Sequence, residues 1–340
     1  ESEPWPMGDV DANRPFPAGI NRRVLNAALD WAMDQGQHNT RAILVVYAGK
    51  IIAEDYASGW TRDTPQIGWS KGKSITAALI GILIQNGHFE LDDPAPVREW
   101  QQEGDPRASI RIQDLLHMSS GLEFTNLGLS GPESYKLENE HMRIYADGLN
   151  IFDHAVNQPL EIPPNTQWRY RNSDPLTLGN IIRETIEARG ENYLQFPQKA
   201  LFDQIGARNF VLETDAWGNF IMTGYDYGTA RDWARFALLH LWDGVWMGKR
   251  ILPEGWVDFI STPAPADETK GYGGLFWLNR GGAMDRIPED AFWASGFMGQ
   301  TTMVIPSRKL IVVRMGPSPQ GSARYLNELV GRIIDALPSN

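Results

Sequence analysis

The chain has 340 residues, 42% apolar and 21% charged, with a formal net charge of −11 and no cysteine. This is globular composition with enough chain for a large buried core. It excludes a cysteine nucleophile, a disulfide framework and a thiolate metal site, and without a basic run it argues against a nucleic-acid partner.

Residues 1–19, rich in Pro and charge, read as an extended arm. Over 20–35, Val24, Ala27, Ala28, Trp31 and Ala32 fall on one helical face, and Gly36 ends the helix. The apolar run Ala42 to Tyr47 reads as a buried strand, turned at Gly49 into a second strand over 51–56, so a hairpin is predicted. Residues 60–69 are polar and irregular. Ser70 then opens a helix to about Asn86, with Ile75, Leu79, Ile82 and Leu83 on its apolar face and Gly87 as its stop. A Pro-broken connection follows over 92–100, then a short helix over 112–117. The stretch 119–168 is loop-rich with helix near 133–157, and helices are predicted over 175–189 and 229–243. Towards the C-terminus, 272–278, 301–305 and 310–314 read as strands, the last two joined by a turn at Pro306-Ser307-Arg308-Lys309. Leu326, Leu329, Val330, Ile333, Ile334 and Leu337 then make a helical stripe. Strands at both ends with helices between predict an α+β fold: one antiparallel sheet built from both termini, flanked by terminal helices, with a helical region inserted. The expected division is a sheet portion, 20–69 plus 226–340, and a helical portion, 70–225.

The sharpest chemical signal is Ser70-Lys71-Gly72-Lys73. Residues three apart share a helix face, so the Lys73 amine sits beside the Ser70 hydroxyl. A serine hydroxyl needs a base to become a nucleophile, and a lysine serves only if burial or a nearby cation lowers its pKa. The helix N-terminus favours negative charge on the attacked oxygen. The same residues also suit an N-cap serine followed by a solvated lysine. Gly68-Trp69-Ser70-Lys71-Gly72 further matches a G-x-S-x-G elbow, but the elbow needs a buried strand before the serine and a late histidine. Here polar 61–66 precedes it, and the last histidine is His240. Lys71 reads as an exposed helix charge. The six histidines show no paired metal-ligand spacing, so no metal site is predicted.

Ser70-x-x-Lys73, followed about a hundred residues later by Tyr170-Arg171-Asn172, resembles the group of class C β-lactamases, family VIII esterases and penicillin-binding proteins. The segments 115–122 and 170–179 resemble that group too, and the likeness spans most of 40–315. It implies the serine β-lactamase-like (DD-peptidase) fold, with Ser70 as nucleophile and Lys73 as its base. It also implies that Tyr170 moves protons near the leaving group, that Asn172 contacts Lys73 and the acyl side chain, and that the amides of Ser70 and Phe297 form an oxyanion hole. At 293–300 the group's late Lys/His-Thr/Ser-Gly motif is expected. Ser295 and Gly296 match, but Ala294 replaces the cation, which argues against β-lactam specialisation. This segment is similar to that of 6-aminohexanoate-dimer hydrolases. Trp69, Trp168 and Trp293 flank these residues and suit the walls of an apolar acyl pocket. The expectation is a hydrolase of small esters or amides needing no cofactor. A β-lactamase or D,D-peptidase, and an acylatable sensor without turnover, stand as alternatives. The family and the start at Glu1 without Met point to the periplasm or secretion, with the cytoplasm as the alternative.

Overall fold

A computed structural model describes residues 2–10, 15–34, 36–123, 140–318 and 323–338. Near the N-terminus, 3–10 do not run extended. Val10 N–H donates to Glu3 O (3.1 Å) and Gly8 N–H to Pro4 O (3.0 Å), closing a loop. The buried guanidinium of Arg235 holds this loop, donating to Pro6 O (2.7 Å), Gly8 O (2.8 Å) and Asp9 Oδ1 (2.6 Å).

Helix α1 (Arg22–Ala32) starts where the Asn21 side chain accepts from Val24 N–H at 3.2 Å. Strand β1 (Ala42–Tyr47) turns through Ala48 and Gly49, both at positive φ (47° and 79°), into β2 (Lys50–Tyr56). Two consecutive positive-φ residues give a turn whose twist suits a hairpin. After β3 (Gln66–Ile67) come a single 3₁₀ turn, Trp69–Lys71, and α2 (Gly72–Gln85). Ser70 therefore lies in the tighter turn ahead of the α-helix rather than opening it. The helical region continues with α3 (Ile112–Leu116), α4 (Glu140–Ala146), α5 (Ile151–Val156), α6 (Ser173–Ala188) and α7 (Asp203–Ile205). Of the helix expected near 133–157, residues 133–139 lie outside the described residues. The short strands β4 (Val211–Leu212) and β5 (Asp226–Gly228) pair with each other, and β5 also pairs with β3.

Helix α8 (Ala230–Leu241) is capped by Thr229, whose Oγ1 accepts from Asp232 N–H at 3.1 Å. The small hairpin β6 (Val245–Trp246) and β7 (Lys249–Arg250) and helix α9 (Trp256–Ile260) lead to β8 (Trp277–Leu278). The strand expected over 272–278 is confined to its last two residues. Leu275 takes a φ of 60°, and the chain folds back so that Tyr272 bridges Trp277. The long strands β9 (Phe292–Gly296), β10 (Gln300–Ile305) and β11 (Leu310–Met315) follow, then α10 (Ala323–Ile334).

The main sheet is antiparallel in the order β2-β1-β11-β10-β9-β8, so the strands from the chain's two ends interleave. The pleat sends alternate side chains to opposite faces. Ile43, Val45, Met303, Ile305 and Val312 pack beneath α1 and α10. Leu44, Val46, Val304, Ile311 and Val313 face α8 and the helical region. The predicted α+β arrangement is the one observed.

Candidate active site

The turn at Trp69–Lys71 is fixed from both sides. Gly68 N–H donates to Asp226 O at 2.7 Å, holding the turn to β5. A Cβ on Gly296 would collide with Gly68 O, so β9 lies against the turn through bare backbone. Trp69 itself takes a φ of 54°, uncommon for a bulky residue. Its ring lies 6.0 Å from Phe297, edge-on, and 6.1 Å from Tyr225.

Ser70 is half-buried, and the Lys73 Nζ beneath it lies 3.0 Å from Ser70 Oγ and 3.2 Å from Thr223 O. Lys73 is buried, with Nζ 4.9 Å from the centre of the Tyr170 ring. Burial pushes its amine down to about 7, opposed by the negative charge of Asp226. The Tyr170 hydroxyl hydrogen-bonds Ser70, but burial dominates and raises its pKa, so it is a phenol at neutral pH. Asn172 is fully buried at the start of α6, and its side chain hydrogen-bonds the Tyr145 hydroxyl. Tyr145 in turn donates to Thr223 O (2.8 Å), the carbonyl that Lys73 also contacts. Ser70 and Lys73 from one stretch of the chain, and Tyr170 and Asn172 from another about a hundred residues later, thus meet in one network.

The third motif divides by face. Gly296 packs on the Trp69–Lys71 turn, and Ala294 shares the core of that side. Trp293 belongs to the core beneath the terminal helices. Ser295 lines a cavity with Trp293, Trp277, Thr301 and Tyr325. Trp293 and Ser295 therefore point to the opposite sheet face from Ala294 and Gly296, because neighbouring residues of a strand cannot share a face. Trp168 joins Tyr170, Tyr272 and Trp277 in an aromatic cluster with ring separations of 5.1–6.2 Å. With Trp69, Tyr225 and Phe297 on the other side, aromatic surface flanks the hydroxyl on both sides.

Lys71 is the clearest departure from expectation. Rather than exposed, it is fully buried, 3.1 Å from Met315 Sδ and 3.8 Å from the centre of the Trp233 ring. Asp226, Tyr145, Thr223 and Trp277 also belong to the site or its walls, although no local pattern in the sequence marks them. Among the described residues, no group of three His, Cys, Asp or Glu residues is placed to hold a metal ion, and no helix is long and apolar enough to cross a membrane.

A half-buried hydroxyl, a neutralisable amine at hydrogen-bond distance and a phenol can together activate and reprotonate an attacking oxygen. Residues 25–332 match the profile of the family described as beta-lactamase. The 6-aminohexanoate-dimer hydrolase of Paenarthrobacter ureafaciens is 24% identical over 324 residues, covering 88% of this chain and 79% of that one. A candidate 6-aminohexanoate-dimer hydrolase from Bacillus anthracis superposes with a TM-score of 0.73 at 24% identity, over 96% of this chain and 87% of its own. A family VIII carboxylesterase superposes with a TM-score of 0.72 at 16% identity, over 95% of this chain and 99% of its own. Matched to the family over most of its length, the chain belongs to the beta-lactamase family and is a hydrolase of its serine type.

Proposed function

We propose that the protein hydrolyses small carboxylic esters, and secondarily amides, through an acyl-enzyme on Ser70. The observation that carries this reading is the Lys73 amine 3.0 Å from Ser70 Oγ, in a setting that brings it down to about 7. Lys73 takes the hydroxyl proton as Oγ attacks the carbonyl, and the Ser70 and Phe297 amides stabilise the oxyanion. As the tetrahedral intermediate collapses, Tyr170 gives its proton to the leaving alcohol or amine and recovers one from Lys73. A water molecule then gives a proton to Lys73 as it attacks the acyl carbon, and Lys73 passes that proton to Ser70 Oγ as the acid leaves, restoring the Ser70 hydroxyl and the neutral amine. No cofactor enters this sequence.

Two features support small, uncharged acyl groups over β-lactams. Aromatic rings flank the hydroxyl, and Ala294 offers no cation for a substrate carboxylate. The relatives' names add esters and the 6-aminohexanoate dimer as neighbouring chemistries. The test is turnover of p-nitrophenyl butyrate and nitrocefin, in parallel with Ser70→Ala. Ester hydrolysis that vanishes in Ser70→Ala, with nitrocefin left largely intact, is expected. Rapid nitrocefin hydrolysis would replace this reading with a β-lactamase, and ester turnover that survives Ser70→Ala would remove Ser70 as nucleophile.

A further inference from the structure

Beneath the nucleophile turn lies a buried charged group that the proposed reaction does not use. Asp226, at the start of β5, is completely buried. Its carboxylate occupies the space that side chains on two glycines would take. A Cβ on Gly68 would collide with Oδ2, and one on Gly72 would lie 2.6 Å from Oδ1. The N–H groups of Gly72 and Asp226 itself approach the carboxylate, but neither carboxylate oxygen is in a hydrogen bond of ordinary geometry. Among the described residues, Asp226 is the only carboxylate whose field acts appreciably on either Lys71 or Lys73, and neither amine is in a salt bridge with it. The other groups around the two amines are neutral: Met315 from β11, Trp233 from α8, Tyr145 from α4, and Tyr170 with Ser70 around Lys73.

A lone carboxylate buried beside a lysine would convert that lysine into its counter-ion. Lys73 cannot be both a permanent counter-ion and a base for Ser70. Two lysines around one carboxylate resolve this conflict. We propose that Lys71 is a positioning residue that balances the charge of Asp226, leaving Lys73 free to accept the Ser70 proton. The inference rests on the hydrolytic reading of Ser70 and Lys73. Burial pushes the Lys71 amine well below its ordinary value and Asp226 up to about 7, and each opposes the shift of the other. Of the two lysines, Lys71 acts more strongly on Asp226. Whether the pair holds its proton on the amine or on the carboxyl, its net charge is zero, and Lys73 is the unmatched amine.

Removing each partner moves Lys73 in a different direction. Lys71→Met leaves Asp226 with Lys73 as its only cationic partner, so the Lys73 amine holds its proton to higher pH. Asp226→Asn removes the attraction and lets that proton go at lower pH. The double variant removes both effects. The measurement is an NMR titration of lysine side chains in the folded protein, run beside the pH profile of ester turnover and thermal melts. Expected is a Lys73 midpoint raised by about one pH unit or more in Lys71→Met, lowered in Asp226→Asn, and returned close to wild type in the double variant. The acid limb of turnover moves with it, and Lys71→Arg keeps the wild-type profile. A Lys73 midpoint unchanged in Lys71→Met, or a shift that persists in the double variant, overturns the proposal. If Lys71→Met does not fold, the direction in Asp226→Asn and the profile of Lys71→Arg decide the matter. The titration needs no substrate, so loss of Ser70-dependent turnover would remove the hydrolytic reading while the role of Lys71 was still judged on its own.

Discussion

Gly296 packs against the carbonyl of Gly68, with no room for a Cβ between β9 and the turn that carries Ser70. This contact sets the distance between Ser70 and the backbone at Phe297, where an oxyanion donor is proposed. Gly296→Ala has to push the strand or the turn away. Misplacement of reacting groups by about 1 Å costs on the order of 10²-fold in rate. A loss of that size in ester turnover, with circular dichroism and substrate-independent folding preserved, is expected. Near-wild-type kinetics in a folded Gly296→Ala would show that the contact does not position the site.

With Lys73 as the proposed base, the pH dependence of turnover follows from this amine. A base must be unprotonated, and burial brings this amine down to about 7. The log of kcat/KM for a neutral ester should therefore rise with a slope near one below that pH and level off above it. The sign matters. A base at its ordinary lysine value would still be climbing well above pH 9 on the same assay. A plateau reached near neutrality supports the buried amine as base, and a profile still rising in strong alkali would count against it.

The N-terminal loop is part of the stable structure. Arg235 is about 1% exposed, and its guanidinium is spent on Pro6 O, Gly8 O, Asp9 Oδ1 and Asp232 Oδ1. Breaking one partner of a buried ionic network costs roughly 3–5 kcal/mol, because the remaining charge is left buried without its match. Arg235→Ala is expected to lower the urea or thermal midpoint by a corresponding amount. Deleting residues 2–10 should do the same through the other half of the interaction. A midpoint shift near zero for both would show that the loop is merely laid on the surface.

Much of this architecture was legible in the sequence because it is written in local periodicity. The run at 42–47, the stripe of α10 and the apolar face of α2 each appear where their spacing places them. Ser70-x-x-Lys73 could be read because residues three apart on a helical turn must be neighbours. Lys71 could not. Periodicity names the more apolar face of a helix, whereas the start of α2 is enclosed on every side, by β5, α8 and β11 together. The position one residue after Ser70 thus points inward instead of to water. Asp226 carries no local signal either. It sits in a three-residue strand, and its meaning comes only from the glycines and lysines brought to it from the other side of the molecule. The run over 272–278 misled for a related reason. Its residues are apolar because Tyr272 and Trp277 pack together across a fold-back, not because the chain is extended.

The strand order has a consequence for the life of the chain on the ribosome. Strand β1 pairs along its whole length with β11, Ala42 opposite Met315 and Tyr47 opposite Leu310. Synthesis therefore produces this inner strand early and its neighbour almost last. Pairings this far apart in sequence form slowly, and until β9 to β11 have emerged, the turn that holds Ser70 is held on the β5 side but lacks the β9 side. An incomplete chain carries the serine and its lysine but not the wall against which they are aligned. The turn that carries Ser70 thus gains its full support only with the final strands.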